Sequence, residues 1–116
     1  MKTTRKINVP IYNFTIYFTV FDKWEEVSKI FGSETNQREG FLLTSSQYPT
    51  ILKMYTDSAY ENNVVHEAIH IKNIIFDTIG HKCDYDNDEP ETYLVEYLYD
   101  KLIKVFRSHN KNNTKT

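Results

Sequence analysis

The sequence predicts an α+β fold: a small, mainly antiparallel sheet packed against two long helices. Three observations carry this expectation. Tyr12, Phe14, Ile16, Phe18 and Val20 alternate with Asn13, Thr15, Tyr17 and Thr19, the period of two that a half-buried strand requires. Apolar residues then recur at helical spacing between Val65 and Ile79 and again between Leu94 and Phe106. The resulting order, β-α-β-β-α-α, groups the long helices after the strands, as in α+β domains with helices on one side of an antiparallel sheet.

Taken in order, the alternating run from Tyr12 to Val20 is the first strand. Asp22 with Glu25 three residues later has the form of a capping box. Trp24, Val27, Ile30 and Phe31 follow at helical spacing, so a first helix is expected over about Lys23 to Phe31, with Gly32 at its C′ position. Ser33 to Glu39 reads as a polar loop. Phe41 to Ser45 and Thr50 to Thr56, separated by Ser46-Gln47-Tyr48-Pro49, read as a hairpin or two neighbouring strands. Ser58 and Glu61 offer a second capping box. Val65, Ile69, Ile75 and Ile79, with Ala68 and Phe76, form the apolar stripe of the strongest helix, which Gly80 ends. A polar loop from His81 to Asp88 leads to Pro90, a residue suited to the first turn of a helix. Leu94, Tyr97, Leu98, Leu102, Val105 and Phe106 supply the buried face of that last helix. The sequence thus predicts one domain over residues 1–106, followed by a disordered polar tail over 107–116.

Composition excludes several classes of function. The 116 residues carry 14 Lys and Arg against 16 Asp and Glu, a net charge of −2. These charges are interspersed along the sequence, which argues against a nucleic-acid partner. Cys83 is the only cysteine, so an internal disulfide and a thiolate zinc site are both excluded; the residue is expected as a small part-buried side chain or a loop thiol. No apolar run reaches the length that spans a bilayer. The basic start, Met1 to Lys6, is followed by alternating rather than continuously apolar residues, so neither export nor a membrane partner is expected. The expected location is cytoplasmic.

One pentapeptide carries chemistry. Within the strongest predicted helix the sequence reads His66-Glu67-Ala68-Ile69-His70. Residues four apart stand one above the other on one helix face, so both imidazoles reach a single ion. Zinc takes neutral imidazole nitrogen, and catalytic zinc sites use three protein ligands with one position left for water. Glu67, beside the first histidine, is placed to take a proton from that water, whose pKa the metal lowers towards neutrality. A third ligand has to come from elsewhere. The metzincin pattern is excluded, because it needs glycine at position 73 and histidine at position 76, where this chain has Asn73 and Phe76. The acidic segment from Asp84 to Glu91, at the head of the last helix, offers carboxylates instead, although acids there also suit the helix dipole.

His66-Glu67-x-x-His70, followed by Glu89-Pro90-x-x-Tyr93-Leu94 at the head of an apolar helix, resembles the ImmA/IrrE-like minimal metallopeptidases, a group of glutamate zincins. The stretch from about Val64 to Leu98 also resembles short proteins of phages and prophages. The likeness covers about a third of the chain together with the strand-helix-strand order before it. It implies a zincin-like fold, a bound Zn2+ ion and peptide-bond hydrolysis, with His66, His70 and Glu89 as metal ligands and Glu67 as general base. Pro90 and Tyr93-Leu94 depart from the family's alanine and Phe-Ala, which leaves Glu91 as the substitute for Glu89. The peptidase activity implied also needs an oxyanion-stabilising group, for which Tyr60, His81 and Tyr93 are the candidates. The usual zincin layout further implies that the strand ending near Tyr55 would bind an extended peptide by edge pairing. A peptide or protein substrate is the implied partner, with a viral or host protein as a further one, and a phage origin would place the chain in the host cytoplasm or the virion. The alternative function is a non-catalytic phage accessory or virion-associated protein with a peptidase-like fold, with or without a structural zinc.

Overall fold

The computed structural model of the chain describes residues 1–31 and 38–114. Four strands, β1 (Lys2–Val9), β2 (Phe14–Phe21), β3 (Gly40–Leu43) and β4 (Ile51–Asp57), form one sheet in the order β1-β2-β4-β3. A 3₁₀ turn (Trp24–Glu26) and the short helix α1 (Ser28–Phe31) follow β2, while the long helices α2 (Asn63–Ile79) and α3 (Glu89–Thr114) follow the sheet. The α+β class holds, but the sheet is mixed. β1–β2 and β3–β4 are antiparallel, and β2–β4 is parallel with Ile16 opposite Leu52 and Phe18 opposite Met54. The parallel pair arises because the chain leaves β2, runs to β3 at the far edge, and returns as β4 into the gap between them.

β1 was not expected from the sequence. Its residues, Lys-Thr-Thr-Arg-Lys-Ile-Asn-Val, bury only Ile7 and Val9, so the alternation that marks a strand is carried by two side chains. The turn after it is set by backbone conformations that few residues adopt: Ile11 and Asn13 both have positive φ, 70° and 57°. Asn tolerates this region, whereas a β-branched isoleucine is strained there.

The first capping box is shifted by one residue. Glu26, not Glu25, accepts from the backbone N–H groups of Asp22 and Lys23, both at 3.0 Å. The Asp22 carboxylate instead accepts from Ser58 Oγ at 2.6 Å and pairs with His109 Nε2 at 2.8 Å. Ser58 is therefore not the cap of α2, whose N-cap is Asn62. The expected 23–31 helix is a 3₁₀ turn and one α-turn, and its proposed end at Gly32, like positions 33–37 of the next loop, lies outside the described residues. β3 and β4 form the expected hairpin around Ser46–Pro49.

The core lies between one face of the sheet and the two long helices. Ile16, Phe18, Leu52 and Met54 meet Ala68, Ile71 and Ile75 of α2 and Leu98, Leu102 and Phe106 of α3, all completely buried. On the other face a smaller cluster forms from Phe21, Trp24, Val27, Phe41 and Tyr55, in which Phe41 and Tyr55 stack with ring centroids 4.5 Å apart. The stripe expected for α2 is corrected. Val64, Ala68, Ile71 and Ile75 face the core, while Val65, Ile69 and Ile79 are 43%, 43% and 47% exposed. Two overlapping apolar series run along this helix, and the sheet selects the one centred on Ala68, whose small side chain lets the helix approach closely. Gly80 ends α2 as expected, in the left-handed conformation with φ 75°.

The tail expectation is also corrected. α3 continues through residues 107–114, because the segment makes tertiary contacts that its polar composition conceals. His109 is completely buried. Its Nδ1 lies 2.7 Å from Thr3 Oγ1, and Asn110 donates to the Ser58 carbonyl at 3.1 Å. Residues 115 and 116 lie outside the described residues. Among the described residues no helix is long and apolar enough to cross a membrane.

Candidate metal centre

The pentapeptide falls in the second turn of α2, and the sheet determines which way each side chain points. At about 100° per residue, with Ala68 and Ile75 turned into the core, His66 and His70 are carried to the opposite side and are solvent-exposed. Glu67 falls on one flank of the helix and Lys72 on the other. On the Glu67 flank lies β3, the edge strand of the sheet. The helix and this edge strand bound an open cleft lined by Gly40, Phe41, Leu42, His66, Glu67, His70, Asn73, Ile74 and Asp77.

The two imidazoles converge. Their Nε2 atoms are 3.0 Å apart, with ring centroids at 4.5 Å and planes at 76°. Two nitrogens bound to one tetrahedral zinc, each at its usual bond length, stand about 3.3 Å apart. The pair therefore fits the ion with an adjustment of a few tenths of an ångström, which two exposed side chains make freely. At 3.0 Å the two rings share an Nε2–H···Nε2 hydrogen bond, and a zinc ion bound by both would take the place of that proton.

Glu67 differs from its neighbours: it is only 6% exposed. Burial raises its carboxyl pKa above the usual carboxylate range, an effect the adjacent His66 partly offsets. Its nearest constraint is Gly40. A Cβ at that position would stand 3.1 Å from Glu67 Oε1 and 3.1 Å from the Tyr55 carbonyl oxygen. Both approaches are tight for carbon, so the absence of a side chain at position 40 is what lets the carboxyl lie against the edge strand.

The third ligand is not assembled. Among the described residues no group of three or more His, Cys, Asp or Glu side chains is arranged to hold a metal. Glu89 is exposed at the first residue of α3 and does not line the cleft. Glu91, the substitute, is engaged elsewhere: its Oε1 accepts from Lys72 Nζ at 2.5 Å. That contact, together with the Cys83 thiol, lowers the Glu91 carboxyl pKa. The head of α3 thus docks on the Lys72 flank of α2, away from Glu67 and roughly 120–160° around the helix from the imidazoles. Cys83 is an exposed loop thiol whose sulfur is 3.9 Å from Lys72 Nζ.

The candidate oxyanion groups do not reach the cleft either. Tyr60 and Tyr93 are 44% and 64% exposed, and the His81 ring rests edge-on against Phe76 with centroids 4.5 Å apart. The strand ending near Tyr55 is not a sheet edge, because β4 is paired on both sides; among the described strands the edge beside the histidines is β3. Asn73 and Asp77, the polar residues that share the cleft with the imidazoles, follow His70 at helical spacings of three and seven. That periodicity is present in the sequence, where Asn73 also marks the departure from the metzincin pattern. No family model, curated protein or solved structure matches this chain.

Proposed function

We propose that the chain is a zinc-dependent metallopeptidase whose site lies in the cleft between α2 and β3. The observation that carries the reading is the convergence of His66 and His70 Nε2 atoms at 3.0 Å one residue from a buried carboxyl with a raised pKa. His66 and His70 would hold the ion, and Glu89 remains the proposed third ligand, with repacking of the segment before α3 needed to bring it in. Zinc bound there would supply Lewis-acid activation of water at neutral pH.

The chain's own groups account for the rest. Glu67 is the general base: a carboxyl whose pKa burial moves upward accepts a proton more readily than an exposed one and stays protonated nearer neutral pH, where it can pass that proton to a leaving amine. The absence of a side chain at Gly40 leaves room for that carboxyl at the cleft wall. Among the described strands β3 is the sheet edge along the same wall, where an extended peptide would be positioned by main-chain hydrogen bonds. The four-residue length of β3 limits this pairing to a short stretch of substrate.

A second reading is a non-catalytic phage accessory or virion-associated protein with a peptidase-like fold, which needs no third ligand at the cleft. The two readings separate on Glu67→Gln. The peptidase loses hydrolysis of a quenched peptide library while retaining zinc; the accessory protein has no such hydrolysis to lose.

A further inference from the structure

Among the described residues, the face of the sheet opposite α2 and α3 is only partly covered. The 3₁₀ turn and α1 close the end near Phe21, and the remainder forms a shallow cavity of about 800 Å³ that includes Tyr17, Tyr48, Ile51, Lys53, Leu43 and Lys2. Strand register explains its character. Lys6 stands opposite Tyr17, and Tyr17 opposite Lys53, so one row across three strands reads lysine, tyrosine, lysine. Four residues along β1, Lys2 extends the same face.

Charge on this face is one-sided. Among the described residues lining the cavity there is no Asp or Glu, although the chain as a whole has 16 acids against 14 bases. Lys2, Lys6 and Lys53 are exposed, and none makes an ion pair with another described residue. Lys72, Lys104 and Arg107, on the helices, are each paired. The interspersed charges of the sequence are therefore sorted by the two-residue period of β1, which sends Lys2 and Lys6 to the open face.

From this face we infer a second site, one that binds single-stranded nucleic acid, with Tyr17 and Tyr48 as stacking surfaces for bases and Lys2, Lys6 and Lys53 as phosphate contacts. A cationic rim with no ion pair among the described residues complements a phosphate backbone, and the rings of Tyr17 on β2 and Tyr48 in the β3–β4 loop complement unstacked bases, a combination that binds strands with little regard to sequence. An acidic peptide would satisfy the lysines but leave the rings unused. The site is separate from the α2–β3 cleft and does not depend on zinc.

The test is fluorescence anisotropy of a labelled ten-nucleotide oligo(dT) against the full chain at 50 and 200 mM salt. Three lysine–phosphate contacts predict a salt slope near −2, which is a roughly 20-fold loss of affinity between the two conditions. Lys6→Gln with Lys53→Gln leaves one contact and cuts that loss to about three-fold. Tyr48→Ala, at an exposed position that the fold does not need, weakens binding about ten-fold. Lys82→Gln, in the loop before α3, changes nothing. The proposal is overturned by no binding at 50 mM salt, by a salt slope that the double lysine variant leaves unchanged, by equal affinity for a duplex of the same length, or by a polyglutamate peptide that competes as well as unlabelled oligo(dT).

Discussion

Replacing His109 by alanine tests the tertiary structure where it departs furthest from the sequence expectation. The imidazole is completely buried and lies at hydrogen-bonding distance from Thr3 at 2.7 Å and Asp22 at 2.8 Å, which ties the end of α3 to β1 and to the end of β2. Truncation removes a ring from a closed space, a cost of about 2 kcal/mol in a site that relaxes only in part. It also ends two hydrogen bonds, at about 1 kcal/mol each. Asp22 retains Ser58 Oγ as a donor at 2.6 Å, so its carboxylate is not stranded and no further penalty applies. The sum, about 4 kcal/mol, is a large fraction of the stability of a domain this size and corresponds to a fall in Tm of roughly 15 °C. Urea and thermal denaturation followed by far-ultraviolet circular dichroism measure it. A loss below about 1 kcal/mol, the range of ordinary surface substitutions, would refute the anchoring argument and restore residues 107–114 to a frayed tail.

Other outcomes follow from the site. Because burial holds the folded Glu67 pKa above its unfolded value, its protonated form is the one favoured in the native state. Its contribution is therefore fully present below the unfolded pKa and is lost as pH rises through the folded one. Glu67→Gln should accordingly be more stable than the parent at pH 7 and 8, with the advantage shrinking as pH falls through the raised folded pKa and gone once pH is below the ordinary carboxylate value; equal stability profiles from pH 4 to 8 would contradict this. Gly40→Ala forces a Cβ against Glu67 and the Tyr55 carbonyl and should cost about 1–3 kcal/mol, measured by urea denaturation; an unchanged midpoint would show that the carboxyl moves aside freely. Glu91→Gln removes the charge that pairs with a lysine whose side chain is only 5% exposed and should cost about 2 kcal/mol, below the range for fully buried pairs because Glu91 itself is partly solvated. Glu89→Gln should leave stability unchanged and weaken zinc binding by calorimetric titration; the opposite assignment of the two effects would exchange their roles.

How much of this was legible in the sequence depends on how local each determinant is. The HExxH helix, its end at Gly80, the β3–β4 hairpin and the helix beginning at Pro90 are written in spacings of a few residues, and the structure has them all. The parallel β2–β4 pair is not, because it joins Ile16 to Leu52 across a crossover that no local pattern marks. β1 escaped because only Ile7 and Val9 of its eight residues are buried apolar side chains. The choice between the Val64 and Val65 series on α2 is made by the sheet, and both satisfy the same period. At the site, spacing gives the convergence of His66 and His70 but says nothing about depth. That Glu67 is buried while its histidine neighbours are exposed follows from β3 lying against one flank of the helix. The docking of Glu91 on Lys72 is a contact between elements 19 residues apart, and acid content alone did not distinguish it from metal ligation.

The most direct test of the central claim is the metal content of the purified protein, measured by plasma mass spectrometry without added metal and again after zinc incubation and dialysis, beside His66→Ala. The account predicts near one zinc per chain in the parent and little in the variant. Less than a tenth of an equivalent in the parent after incubation, or equal zinc in parent and variant, would contradict it.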